Sequence, residues 1–234
     1  MLDFAQFEWL SFDCYGTLID WESGILGYLQ PLLEAKSRFA NDDEVLGLYS
    51  QLEPRHQTGP YRSYREVLSA VVRDFGREFR FPVTPAEAVG LADSIRDWQP
   101  FPDTVAALQR LKSRYKLAIL SNIDNDLFAH TARKLEVPFD CILTAQQLRS
   151  YKPSRANFEA LLRRLAFPQE RLLHVAESLY HDVAPALSLG ISTVWVNRRQ
   201  GRSAGASKRA GVRPDAEVPN LTKLVELAMP SASA

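Results

Sequence analysis

Four polar clusters in this chain each follow an apolar run, where a side chain can be offered to a ligand instead of vanishing into a core. Asp13 closes the run that begins at Trp9 and leads into Cys14-Tyr15-Gly16-Thr17-Leu18, where Gly16 permits a tight turn that presents the carboxylate. Ser121-Asn122 ends a second run and offers a hydroxyl and an amide to a carboxylate or an oxyanion. Lys152, held in Ser150-Tyr151-Lys152-Pro153, is a cation able to neutralise a carboxylate in the same cleft. Glu177-Ser178-Leu179-Tyr180-His181-Asp182 sets two acids five residues apart across a turn. Singly, each cluster has a plainer use, because Asp, Ser and Asn cap helices and most lysines are solvated. Together they supply the carboxylates, cation and hydroxyls that acid–base and covalent chemistry on a small molecule requires.

Five apolar runs, at residues 9–13, 116–121, 141–144, 172–177 and 191–196, read as buried strands. Segments with helical periodicity at 104–114, 126–135, 156–165 and 182–189 alternate with them. That alternation predicts an α/β fold with a parallel sheet and helices on both faces, in which ligands bind at the carboxyl ends of the strands. About a hundred residues separate the first run from the second, far more than one crossover needs. They read as four helices, at 24–37, 42–53, 61–79 and 85–98, whose Leu29, Leu32, Leu33, Leu46, Leu48 and Leu52 form core-facing stripes. The expected division is therefore a core of residues 1–20 and 99–234 with an inserted helical cap at 21–98. Its hinges are at 20–23 and 99–103, the second broken by Pro100 and Pro102.

The composition excludes several classes. With 28 basic and 28 acidic residues the formal charge is zero, so no global field favours nucleic acid or an anionic membrane. Hydrophobic residues make up 46% and charged residues 24%, as in a folded globular protein. No apolar run reaches membrane-spanning length, and the N-terminal stretch lacks the pattern of a secretory signal, so the expected location is cytoplasmic. Cys14 and Cys141 lie in apolar runs and are expected to be buried free thiols. Residues 199–214 are basic and rich in small residues; without interleaved aromatics they read as a solvated loop, followed by a short helix at 221–228. A homodimer is compatible with an apolar cap surface.

The four clusters, in this order and spacing, resemble the haloacid dehalogenase superfamily over nearly the whole chain. The resemblance implies a doubly wound, Rossmann-like core with a helical cap inserted after the first strand. It implies that Asp13 is a nucleophile, that Thr17 and Ser121 position the substrate, and that Lys152 stabilises the aspartate and its ester. Most members are Mg²⁺-dependent phosphatases with an acid two residues after the nucleophile, needed to protonate an alkoxide; here that residue is Tyr15. Where the phosphatase pattern has Gly-Asp, this chain has Ala176-Glu177.

The string Asp13-Cys14-Tyr15-Gly16-Thr17-Leu18-Ile19-Asp20-Trp21 is similar to the branch of L-2-haloacid dehalogenases, and Trp21, the Ala176-Glu177-Ser178-Leu179-Tyr180-His181-Asp182 run and Asn122-Ile123-Asp124 are similar to L-azetidine-2-carboxylate hydrolases. These cleave a carbon–halide or strained carbon–nitrogen bond next to a carboxylate. The branch implies no cofactor, with water activated by Glu177 or Asp182. It implies a substrate pocket that includes Tyr15, Trp21, Asn122, Ser178, Tyr180 and His181. The cap arginine that receives halide in such dehalogenases aligns with Leu48; Arg55, Arg62 and Arg65 are the candidates to replace it. A Mg²⁺-dependent phosphatase using Asp13, Glu177 and Asp182 remains the alternative, and a non-catalytic binding protein a third class.

Overall fold

The computed structural model describes residues 2–199 and 211–230, so most of the expected basic loop lies outside the described residues. Six strands form one parallel sheet: β1 (Trp9–Phe12), β2 (Lys116–Ser121), β3 (Cys141–Thr144), β4 (Leu172–Ala176), β5 (Ser192–Val196) and β6 (Ala216–Val218). Their order is β3-β2-β1-β4-β5-β6. The chain builds outward from β1 on one side and then returns to its other side, so the crevice of this doubly wound sheet opens at the carboxyl ends of β1 and β4. The first five strands lie where the apolar runs predict. The sixth was not legible, because Ala216-Glu217-Val218 has one fully buried apolar side chain and is too short to show a period.

Four helices lie between β1 and β2: α1 (Trp21–Ala35), α2 (Asp42–His56), α3 (Tyr64–Glu78) and α4 (Pro85–Ser94). Side-chain caps set their starts. Asp20 accepts hydrogen bonds from the Ser23 amide and hydroxyl at 3.2 and 2.7 Å, so α1 begins at Trp21 and not at Gly24. Ser63 and Glu66 form a capping box, which starts α3 at Tyr64 instead of residue 61. Asn41 with Glu44 and Thr84 with Glu87 do the same for α2 and α4. At the hinge, α1 crosses Trp98 closely enough that a β-carbon on Gly24 would come within 2.4 Å of the indole.

The remaining helices are α5 (Thr104–Lys112), α6 (Asn125–Leu135), α7 (Ala145–Leu148), α8 (Arg155–Leu165), α9 (Ala184–Ser188) and α10 (Leu221–Ala228). The helix predicted at 182–189 is divided. A single π-helical turn spans Leu179–Val183, in which the Asp182 and Val183 amides both donate to the Ser178 carbonyl, and only then does α9 begin.

Alternation along β1 separates two apolar layers. Leu10 and Phe12 join a large cluster that runs on into the inserted helices through Leu29, Leu68 and Phe75. Trp9 faces a second cluster with Leu120, Phe158 and Leu172. Cys14 and Cys141 are free and buried, as expected. Among the described residues no helix is long and apolar enough to cross a membrane.

Core and insertion are also joined by polar contacts. Asp124, which is 1% exposed, accepts hydrogen bonds from the Tyr64 and Arg65 amides at 3.0 Å each and so caps α3 from across the crevice. The Arg65 guanidinium pairs with Asp93 and Asp126, both at 2.8 Å, and Tyr151 donates its hydroxyl to the Arg62 carbonyl at 2.8 Å.

Candidate active site

Lys152 is the centre of the crevice. It is 1% exposed, and its three ammonium hydrogens are matched by three acceptors: Asp13 Oδ1 at 2.8 Å, the Leu120 carbonyl at 2.8 Å and Asp182 Oδ1 at 2.6 Å. Its backbone is clamped by Asn122, whose Oδ1 accepts from the Lys152 amide at 2.7 Å while Nδ2 donates to the Lys152 carbonyl at 3.0 Å. Asn122 therefore lines the cavity but uses both amide atoms to hold the lysine segment, a role the sequence does not reveal.

Asp13 stands just past β1. Its second oxygen, Oδ2, accepts from the Thr17 hydroxyl at 2.9 Å, and Thr17 Oγ1 in turn accepts from the Glu177 amide at 2.8 Å. The turn that returns Thr17 beneath Asp13 needs Gly16, whose φ of +93° lies in the left-handed region. Burial raises the Asp13 carboxyl above its ordinary value; the Lys152 charge offsets part of this, and the nearby Asp182 adds to it. Asp182 is also buried, but Lys152 and a hydrogen bond from His174 outweigh that cost and hold it below the usual range. Facing both carboxylates, Lys152 is held above its ordinary value against burial.

The inner cavity is small, about 50 Å³, which a few waters or a small acid would fill. Asp13, Tyr15, Trp21, Ser121, Asn122, Lys152, Glu177, Ser178, His181 and Asp182 line it, so the structure gathers these sequence-predicted residues at one place. Thr17 sits behind Asp13, and Tyr180 lines the wider outer mouth, stacked edge-on against His181. Ser121 Oγ is buried without a hydrogen-bond partner. Ser178 Oγ accepts from the His181 amide at 3.0 Å.

Tyr15 presents its ring, edge-on to Trp98, while its hydroxyl shares a hydrogen with Thr131 at 2.8 Å, and burial keeps the phenol well above its ordinary pKa. It is a poor replacement for a carboxylic acid. Among the described residues no arginine lines the inner cavity: Arg65 is held by two aspartates, and Arg55 lines only the outer mouth. Instead α2 contributes Glu53, 8% exposed and accepting a hydrogen bond from Gln57, and α3 contributes Tyr64. Glu53 is visible in sequence only within the Gln51-Leu52-Glu53 string.

Sequence reasoning also missed His174. Its Nε2 lies 2.9 Å from Asp182 Oδ1 and its Nδ1 lies 2.8 Å from Ser11 Oγ, with the ring fully buried. The available signal was an ionisable residue inside the otherwise apolar Leu-Leu-His-Val-Ala strand.

Asp13 and Asp182 are bridged by an ammonium, and among the described residues no three His, Cys, Asp or Glu groups are arranged to hold an ion.

A model of the haloacid dehalogenase-like hydrolase family matches residues 8–190. The haloacetate dehalogenase H-2 of Moraxella sp. (strain B) is 26% identical over 228 residues, 95% of this chain and 98% of that one. An (S)-2-haloacid dehalogenase of Pseudomonas sp. (strain YL) is 28% identical over 227 residues, 93% of each chain. Among solved structures, the L-2-haloacid dehalogenase from Xanthobacter autotrophicus has a TM-score of 0.79 at 20% identity, covering 97% of this chain and 100% of that one, a likeness of fold.

Proposed function

The chain belongs to the haloacid dehalogenase-like hydrolases, and from that premise we propose that it hydrolyses a small 2-substituted carboxylic acid, without a metal, through an ester of Asp13. The observation that carries this is the Lys152 bridge: one ammonium contacts Asp13 and holds Asp182 beside it, while the position two residues after Asp13 is filled by Tyr15, whose hydroxyl is engaged by Thr131.

The substrate carboxylate binds toward the unpartnered Ser121 hydroxyl, with C2 against Asp13 and the departing group against Tyr15 and Trp21. An Asp13 oxygen bonds to C2 as the bond from C2 to the leaving group breaks, its electron pair departing with that group. Water then attacks the Asp13 carbonyl carbon and gives one proton to Asp182. The tetrahedral adduct expels the 2-hydroxy acid oxygen, which takes that proton from Asp182. The Asp13 acid releases its own proton to solvent and is restored.

Both named relatives are dehalogenases, so halide is one leaving group to consider. Glu53 favours the other. A carboxylate in the wall of a cavity that no described arginine lines repels a developing halide and attracts a protonated nitrogen, as in a strained cyclic imino acid. Ring opening at C2 would let that nitrogen depart as an amine beside Glu53.

The test is protein with Mg²⁺ and, in parallel, with chelator, each given L-2-chloropropionate, L-azetidine-2-carboxylate and an aryl phosphate, followed by a single turnover in ¹⁸O-water. Turnover of a 2-substituted acid with ¹⁸O entering Asp13 and not the first product is expected. Phosphate release alone, abolished by the chelator, would overturn the proposal in favour of the phosphatase.

A further inference from the structure

His174 has no part in the mechanism above, yet it is built into the same buried chain of polar contacts. Parallel register sets Ser11 of β1 beside His174 of β4, on the face of the sheet that also carries Trp9 and Leu172. The ring is wedged edge-on against Phe158, with centroids 5.1 Å apart, so it cannot swing to another partner without repacking that layer. An ionised carboxylate only accepts hydrogen bonds, so the contact to Asp182 requires the hydrogen on His174 Nε2. Ser11 Oγ completes the arrangement at Nδ1, 2.8 Å away.

The consequence lies in which oxygen of Asp182 is occupied. Lys152 and His174 both bind Oδ1, from different directions, at 2.6 and 2.9 Å. Two donors on one oxygen fix the plane of the carboxylate and leave Oδ2 as the oxygen for water in the cavity that Asp182 lines. A lone lysine, with its rotatable ammonium, would leave that plane free to turn. The π-helical turn at Leu179–Val183 delivers Asp182 to this position, and His174 holds it there.

We propose that His174 is a positioning residue for the hydrolytic half of the reaction, its Nε2–H orienting Asp182 so that Oδ2 receives the proton of the water attacking the Asp13 ester. It does not touch substrate and has no task in forming the ester, where Asp13 and Lys152 suffice. The assignment rests on the ester reading of the site.

The two halves also differ in pH response. Once Asp13 is esterified it carries no charge, so the acid limb of ester hydrolysis reports Asp182. The titratable groups around Asp182 are then Lys152 from the loop beyond α7, His174 from β4, Glu177 and His181 from its own segment, and Glu53 of α2 in the same cavity wall. Removing the His174 donor moves that limb to higher pH, because one of the interactions that hold Asp182 ionised is lost.

The experiment compares wild type, His174→Leu and His174→Gln in the full chain, using L-2-chloropropionate and L-azetidine-2-carboxylate. Rapid quench with intact-mass detection measures ester formation and loss separately, with melting temperatures to establish folding. His174→Leu should form ester at the wild-type rate but lose it on the order of ten- to a hundredfold more slowly, so that ester accumulates. Its hydrolytic acid limb should move to higher pH than that of wild type. His174→Gln keeps an amide N–H at similar reach and should recover most of the hydrolysis rate. Equal slowing of both halves with an unmoved acid limb, or no recovery in a folded His174→Gln, overturns the positioning role while the ester chemistry stands. If wild type forms no ester with either acid, the ester reading fails and the proposal falls with it.

Discussion

Replacing Lys152 by Met removes the one cation that two buried carboxylates share. Asp13 and Asp182 both contact Lys152 Nζ, at 2.8 and 2.6 Å, so their oxygens are no more than about 5 Å apart. At that distance and an effective dielectric of about 20, two unscreened charges repel by about 3 kcal/mol, which raises the carboxyl that binds the first proton. Losing one partner from a buried ion pair costs about 3–5 kcal/mol overall. At neutral pH the variant should therefore be less stable by that amount, its two aspartates should take up a proton at higher pH than in wild type, and turnover should fall by at least about a hundredfold because the nucleophile has lost its cation.

The sign of the pH effect follows from the shifts. In the variant both folded-state carboxyls lie above their unfolded values, so its penalty is absent below about pH 4 and grows as pH rises through the raised folded values. In wild type the lowered Asp182 contributes stability above about pH 4 that is lost in acid, while the raised Asp13 acts in the opposite sense. Urea unfolding of both proteins at pH 7.5 and pH 4 should give a difference of about 3–5 kcal/mol that shrinks to about 1–2 kcal/mol in acid. An equal difference at both pH values would refute the shared-cation reasoning.

Three further outcomes are expected. Asp13→Asn should abolish turnover while circular dichroism and melting stay near wild type, since the side-chain shape is kept; full activity would remove the nucleophile assignment. Glu53→Gln should lower kcat/KM for a cyclic imino acid by about tenfold or more and leave a 2-haloacid unchanged or improved, because only the former brings positive charge to that wall; equal effects on both would exclude selection by charge. Asp124→Ala leaves the Tyr64 and Arg65 amides without their acceptor and should cost about 1–3 kcal/mol, measured by denaturant unfolding. The same variant should raise KM more than it lowers kcat, because it loosens the cap and not the carboxylates.

The layout of the chain was legible wherever side-chain periodicity reports burial. Five of the strands, the helical insertion after the first, and the positions of Asp13, Ser121 and Glu177 at strand ends all follow from apolar runs and from where they stop, while Lys152 and Asp182 lie farther along the segments that leave the third and fourth runs. The less legible pieces are those in which no run exists or a turn departs from a simple helix, namely β6 and the π-helical turn before α9.

Amino-acid order by itself determined that this chain carries a strand-end aspartate, a lysine and two further acids on a parallel α/β core, with tyrosine where an acid would serve phosphate esters. Only the tertiary structure decided how those groups are used. It put one ammonium between Asp13 and Asp182, turned Asn122 onto the lysine backbone, placed Glu53 in the cavity wall instead of an arginine, and set His174 behind Asp182. The physical reason is separation along the chain. Lys152 meets Asp13 across 139 positions and His174 meets Ser11 across 163, contacts set by strand order and register, which local sequence patterns do not encode.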